Sequence, residues 1–307
     1  MATLTSNIIA KEGNAAHIKQ LRDILNNLKV KDVYADDVDG FSSDKTAIER
    51  IFKMTDSGNF GDILLRLTVI DSMYSTQMNR RYYGLQKLAE NIRIIEQSKG
   101  IKRLCAEFLA QGDCRDARLF DGKANGEHFN LFAEHYGIGK DGSEKGVAVS
   151  LISKYAYFET GYGFPIYDSI ACEMYPRIWN YCGFGKNVNK LTVKNSDQRM
   201  DGDKTIVEYT KAIDDLIVRL GGKISYDHLD RLLWFVGKII RGNLSLVLDR
   251  KSYEWCVDNW FEKNKNGNKV KFDVTKVNID NAYFCHNNSR LKAMFELAQN
   301  IMKQINE

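Results

Sequence analysis

Apolar residues recur at i, i+3, i+4 and i+7 in eight segments: "AAHIKQLRDILNNL", "KTAIERIFKM", "GDILLRLTVIDSMYSTQM", "RYYGLQKLAENIRIIEQ", "IKRLCAEFLAQ", "VEYTKAIDDLIVRL", "YDHLDRLLWFVGKII" and "RLKAMFELAQNIMKQI". That period gathers the apolar side chains on one face of a helix, so each segment is expected to be helical. Clusters of glycine and asparagine separate them: "FDGKANGE", "GIGKDGSEKG", "FGKNVNK", "RGN" and "NKNGNK". Alternation with period two is rare. Only "KVKFDVTKVNI" reads as extended, with a long loop as the alternative. The pattern predicts an all-α protein of about ten to fourteen helices of ordinary length, without internal repeats. The polar stretch 184–205 is expected to be a long surface connection.

Composition narrows this picture. A chain of 307 residues suits one large domain or two interlocked lobes. No run of about 18 apolar residues is present, so no membrane span is expected. The N-terminal "MATLTSNIIAKEGNAAH" lacks the basic start and long apolar stretch of a secretory signal. The six cysteines form no Cys-x-x-Cys, which argues for reduced thiols in a cytoplasmic protein and against a zinc or iron–sulfur site. His128 and His135 are seven residues apart, but no ligand cluster accompanies them, and no metal or other cofactor is expected. The net charge of +4 and the pI of about 8.5 fall short of a dedicated nucleic-acid binder but permit a local basic face.

Three stretches carry candidate chemistry. In residues 61–92 an apolar helix runs to Ser75-Thr76-Gln77, after which Asn79-Arg80-Arg81 opens another. From Arg80 to Arg103 there are seven basic residues (Arg80, Arg81, Lys87, Arg93, Lys99, Lys102, Arg103) and two acidic ones (Glu90, Glu96), a net of 7 − 2 = +5. Such clustering suits contact with phosphates; a solvated helix face is the other reading. In "GVAVSLISKYAYFETGYG", Gly146 is placed to open a helix whose first N–H groups would meet a phosphate. In "FPIYDSIACEMYPRIW", Pro165 favours extended backbone, and Asp168 or Ser169 can cap a helix beginning near Ile170. A carboxylate fixed in that way is also favoured in its charged form by the helix dipole. Capping and chemistry are therefore compatible at Asp168.

The order and spacing of these stretches resemble the helix-hairpin-helix DNA glycosylase superfamily over roughly residues 60–185. Ser75-Thr76-Gln77 fits its Ser-x-Gln-like motif, "GVAVS" (146–150) lies over its Gly-Val-Gly-x-Lys hairpin, and "FPIYDSIA" fits the stub leading to the catalytic Asp. Ser150 and Asp168 are 168 − 150 = 18 residues apart, a separation usual in the family. The chain departs from the pattern at Ala148, which replaces the second hairpin glycine, and at Glu144-Lys145, which replaces Leu-Pro. It also has Ser150 where bifunctional members carry a nucleophilic lysine, and it lacks iron–sulfur cysteines.

The resemblance implies an all-α, two-lobed fold with a cleft. Residues 60–185 would supply one lobe and one cleft wall. Residues 1–59 and 186–307 would complete the second lobe, and Asp168 would point into the cleft. It further implies a monomeric enzyme, without a membrane partner, acting on double-stranded DNA that contains a damaged or modified base. The base is flipped out of the stack, and Asp168 stabilises the oxocarbenium-like sugar while water cleaves the N-glycosidic bond. Gln77 would fill the gap in the duplex, with Asn79, Arg80, Arg81, Gly146 and Ser150 on the DNA. The aromatics of 155–167, Tyr155, Tyr162 and Tyr167 among them, would supply the base pocket, although helical spacing suits most of them to the core. With Ser150 at the hairpin position the product is an abasic site in an intact strand. Lys154, one turn further on, offers a lyase alternative through a Schiff base; otherwise it is a phosphate-contacting or surface lysine. A non-catalytic helical module that binds DNA or protein is the other reading. The base is not legible, and hypermodified bases of viral DNA stand beside oxidised and alkylated ones as substrates to test.

Overall fold

A computed structural model describes residues 13–27, 39–74, 76, 78, 83–139, 141–144, 146–185, 202–263 and 269–306. These residues form twelve α-helices and two antiparallel hairpins, so the protein is all-α as its periodicity predicts. The helices are α1 (Ala15–Asn27), α2 (Asp39–Met54), α3 (Phe60–Tyr74), α4 (Gly84–Ser98), α5 (Ile101–Ala110), α6 (Val149–Glu159) and α7 (Ser169–Tyr181). They continue with α8 (Gly202–Arg219), α9 (Tyr226–Ile240), α10 (Arg250–Asn259), α11 (Tyr283–Asn287) and α12 (Ser289–Asn306). None of the described helices is long and apolar enough to cross a membrane.

The hairpins are small. Strands β1 (Asp121–Ala124) and β2 (Glu127–Asn130) join through Asn125-Gly126, both at positive φ, the backbone a tight two-residue turn demands. Strands β3 (Phe261–Lys263) and β4 (Lys269–Phe272) pair with a register shift. The extended reading of "KVKFDVTKVNI" therefore holds only for its first four residues; two 3-10 turns follow, at Val274–Lys276 and Ile279–Asn281. The expected surface connection ends at Gly202, where α8 begins.

Two sets of helices share the core. In one, α3 packs on α2, α4 and α6, and α5 packs on α4 and α6. In the other, α9 packs on α7 and α12, and α1 packs on α9 and α12. Helix α1 thus packs with C-terminal helices, whereas helix α2 packs with α3 and α6. Its Phe52 ring packs on Tyr155 and Phe158 of α6 at 5.3 and 5.6 Å, and Arg66 of α3 ties it down. The buried Arg66 guanidinium donates to the Phe52 and Thr55 carbonyls of the α2 end, to Thr55 Oγ1 and to Tyr155 Oη, and pairs with Glu159 at 2.7 Å.

Helices α7 and α9 pack against each other at Gly237. Gly237 faces Ile170 and Met174, and a Cβ there would stand 2.4 Å from Ile170 Cγ2. Of the six cysteines only Cys114 is exposed, and none is in a disulfide.

Candidate functional site

Pro165 to Tyr167 form a non-helical stub ahead of α7, and its last peptide unit is held on both sides. The buried Ser153 hydroxyl of α6 accepts the Tyr167 N–H at 3.0 Å and donates to the Ser150 carbonyl at 3.0 Å. The Tyr209 hydroxyl of α8 donates to the Ile166 carbonyl. With the stub fixed, Asp168 takes extended φ, ψ and caps α7, its Oδ1 accepting the Ala171 N–H at 2.7 Å. The side chain is partly exposed. This leaves one oxygen committed to the cap and the residue in reach of solvent.

Around it stands a group of charges drawn from three helices. Lys154 of α6 is only 2% exposed and donates from Nζ to Ser150 Oγ at 2.7 Å. It is not the surface or phosphate-contacting lysine expected, because the helix face that carries it turns inward. Burial pushes its pKa down, against the opposing pull of the Asp168 and Asp230 carboxylates. Asp230 of α9 is partly buried, and burial, followed by the nearby Asp168 carboxylate, pushes it up to about 7.

Beside it, Lys45 of α2 donates to Tyr157 Oη and to Asp227 Oδ1, each at 2.6 Å, and the Tyr157 hydroxyl and Arg231 also donate to Asp227. Burial lowers the Lys45 pKa, with Arg231 adding to the effect. Burial opposes charge on Asp227 too, but Lys45 and Arg231 outweigh it and hold that carboxyl at about 2. Asp227 is therefore a saturated ion-pair centre. Asp230, one helical turn on, makes no hydrogen bond or ion pair among the described residues.

A cavity of about 40 Å³ opens where α6 begins, lined by Thr76, Met78, the segment Val147–Leu151, Tyr167 and Thr205. The carboxylate of Asp71, at the end of α3, accepts from the Met78 N–H at 2.8 Å and from the Thr76 hydroxyl, and so anchors the far wall. Ser150 sits on the near wall. Gly146 does not open the helix as expected. It adopts φ +66° in the preceding loop, and α6 starts three residues later at Val149 with no side-chain cap. The cavity is far smaller than the roughly 300–1,000 Å³ of a small-molecule pocket.

The three tyrosines expected to form a base pocket separate. Tyr155 is fully buried against Phe52 and Arg66, so it offers no face to a base and belongs to the core. Tyr162, at φ +75°, is half-buried with its ring under Lys45 Nζ at 3.8 Å and packed on Tyr157. Tyr167 is buried edge-on against Tyr209 at 5.2 Å but lines the cavity beside Asp168. Gln77, Asn79, Arg80 and Arg81 lie outside the described residues.

The basic run that follows them is largely neutralised by neighbours: Lys87 pairs with Glu134 and Glu144, Arg93 with Glu90, and Arg103 with Glu107. Lys99 donates to the Leu119 and Asp121 carbonyls. Most of this stretch is thus a self-compensated helix face. No group of histidine, cysteine, aspartate and glutamate among the described residues is arranged to hold a metal.

Sequence reasoning missed Asp71, Ser153 and Asp230. Asp71 is singled out by Thr76 and Met78 just beyond its helix, Ser153 by the Tyr167 amide, and Asp230 by groups far away in the chain, and none of the three left a signal in the periodicity. Compared with protein-family models, with curated proteins and with solved structures, the chain matches none.

Proposed function

We propose that this protein is a monofunctional DNA glycosylase with a two-lobed helix-hairpin-helix architecture, and that Asp168 is its catalytic carboxylate. One observation carries the reading: Asp168 is fixed by a cap and a doubly tethered stub, yet stays partly exposed beside the start of α6. The set α2–α6 and the set α1, α7, α9 and α12 would be the two lobes, with Asp168 at their border. In the reaction the target nucleotide is extruded from double-stranded DNA. The C1′–N bond breaks, the carboxylate stabilises the cationic sugar, and water adds to C1′.

The cavity by Tyr167 is too small for a base, so this reading requires the wall of Thr76 and Met78 to open when DNA binds. The buried position of Lys154 favours water over an amine as nucleophile, although a depressed pKa is what a Schiff-base lysine needs.

The small cavity and the neutralised basic run favour a second reading, a helical binding module without catalysis. The test is mass spectrometry of free bases released from alkylated, oxidised and hypermodified phage DNA. Release by wild type that is lost in Asp168→Asn, with DNA binding retained, supports the enzyme. Absence of release from every DNA leaves the binding module.

A further inference from the structure

Asp230 is a partly buried acid with no structural employment among the described residues. Its neighbour Asp227 accepts from three donors, Lys45, Tyr157 and Arg231, whereas Asp230 has no hydrogen bond or ion pair among the described residues. It shares a face of α9 with Gly237, two turns on, and Gly237 lies against Ile170, two residues after Asp168. The crossing that brings Gly237 onto α7 therefore turns Asp230 toward the group around Asp168. The charged and titratable groups facing it are Asp168 at the start of α7, Lys154 and Tyr157 of α6, Lys45 of α2 and Tyr209 of α8, with Asp227 on its own helix.

We propose that Asp230 is the second carboxyl of the site, the proton donor to the departing base, and that the excised base carries no charge before cleavage. This rests on the glycosylase reading. The two acids stand in opposite environments. Asp168 accepts an amide at a helix N-terminus, where negative charge is favoured. Burial, and then Asp168 itself, favour the protonated form of Asp230. Environments that separate two neighbouring acids in this way distinguish a proton donor from an anion.

The electron pair of the C1′–N bond leaves with the base nitrogen as the Asp230 proton passes to the base. Water bonds to C1′ and gives its proton to Asp168. The products are a neutral free base and an abasic hydroxyl sugar, and the pair still holds one proton, which returns from Asp168 to Asp230. A base that is already cationic through alkylation leaves without that proton, so Asp230 serves uncharged bases.

The experiment measures free-base release by the full chain from hypermodified phage DNA, oxidised DNA and DNA carrying 7-methylguanine, for wild type, Asp168→Asn and Asp230→Asn. Asp168→Asn is expected to abolish all release. Asp230→Asn is expected to slow release of the uncharged base about 100-fold or more, at least about tenfold more than it slows 7-methylguanine. It should also remove the fall of the wild-type rate above about pH 7. Where wild type releases uncharged bases only, the pH profile decides.

Equal effects on both base types, an unchanged pH profile, or release of 7-methylguanine alone by wild type overturns the role of Asp230 and leaves Asp168 standing. No release by wild type overturns both readings. A ¹³C-carboxyl NMR titration of wild type needs no substrate and no folded variant. One aspartate titrating near pH 7 is expected, and its absence contradicts the assignment.

Discussion

Ser153 and Asp168 together show how one hydroxyl and one carboxylate turn a flexible stub into a fixed one. The hydroxyl closes the Tyr167 amide, the carboxylate closes the Ala171 amide, and the chain between them has no slack. Asp168 was legible in the sequence because proline, an aspartate and a following apolar helix form a local signal. Asp230 was not, because "YDHLDRLLWFVGKII" reads as an amphipathic helix whose acids meet water. What distinguishes Asp230 from Asp227 is Lys45, contributed from 182 residues upstream of Asp227.

The environment of Asp230 has a thermodynamic signature. Its folded pKa lies above its unfolded one, so the native state binds the extra proton between about pH 4 and 7, and stability falls as pH rises through that window. Asp230→Asn removes this effect. The variant is expected to match wild type near pH 4 and to exceed it by on the order of 2 kcal/mol at pH 8, a value discounted for partial exposure. Urea melts at the two pH values check it. A variant that loses stability at pH 8 would show instead that Asp230 is a structural acid.

At the scale of elements, the α7–α9 crossing sets the geometry of the site. Gly237→Ala puts a methyl group where Ile170 already stands. Overpacking of this kind costs about 1–3 kcal/mol, and the helices must part. Base release is expected to fall at least tenfold in Gly237→Ala while its circular dichroism stays that of wild type. Activity equal to wild type would mean that the crossing does not position the acids.

The basic run from Arg80 to Arg103 gives the opposite lesson. Its charge excess is plain in the sequence, but the partners of Lys87, Glu134 and Glu144, come from a later loop, and Arg103 pairs with Glu107 just beyond the run. Replacing Arg93 and Arg103 by Gln is therefore expected to leave both DNA affinity and its dependence on salt unchanged in a titration between 50 and 200 mM NaCl, the range over which each phosphate contact is felt. The first hairpin was overlooked for a different reason. "ANGE" carries the Asn-Gly turn signal, but its flanking strands are too short to show alternation.

For the molecule as a whole, helix number and class were readable because apolar periodicity is local. The grouping of helices was not, since α2 is drawn to α3 and α6 by tertiary contacts of Phe52 and Lys45 and by one buried cation. Arg66 joins the end of α2, Thr55, Tyr155 and Glu159 in one network, and its removal would leave the Glu159 carboxylate unpaired beside the core. Arg66→Met is expected to cost about 3–5 kcal/mol, seen as a lower urea midpoint with an unchanged slope.

The cysteines offer something more practical. Burial pushes the Cys182 and Cys285 thiols up to about 12 and raises those of Cys105 and Cys256 further, whereas Cys114 faces solvent on a turn. Alkylating reagents act on the accessible thiolate. The natural chain therefore presents a single attachment point for a maleimide dye, and the proposed capture of a duplex can be tested by fluorescence without altering one residue.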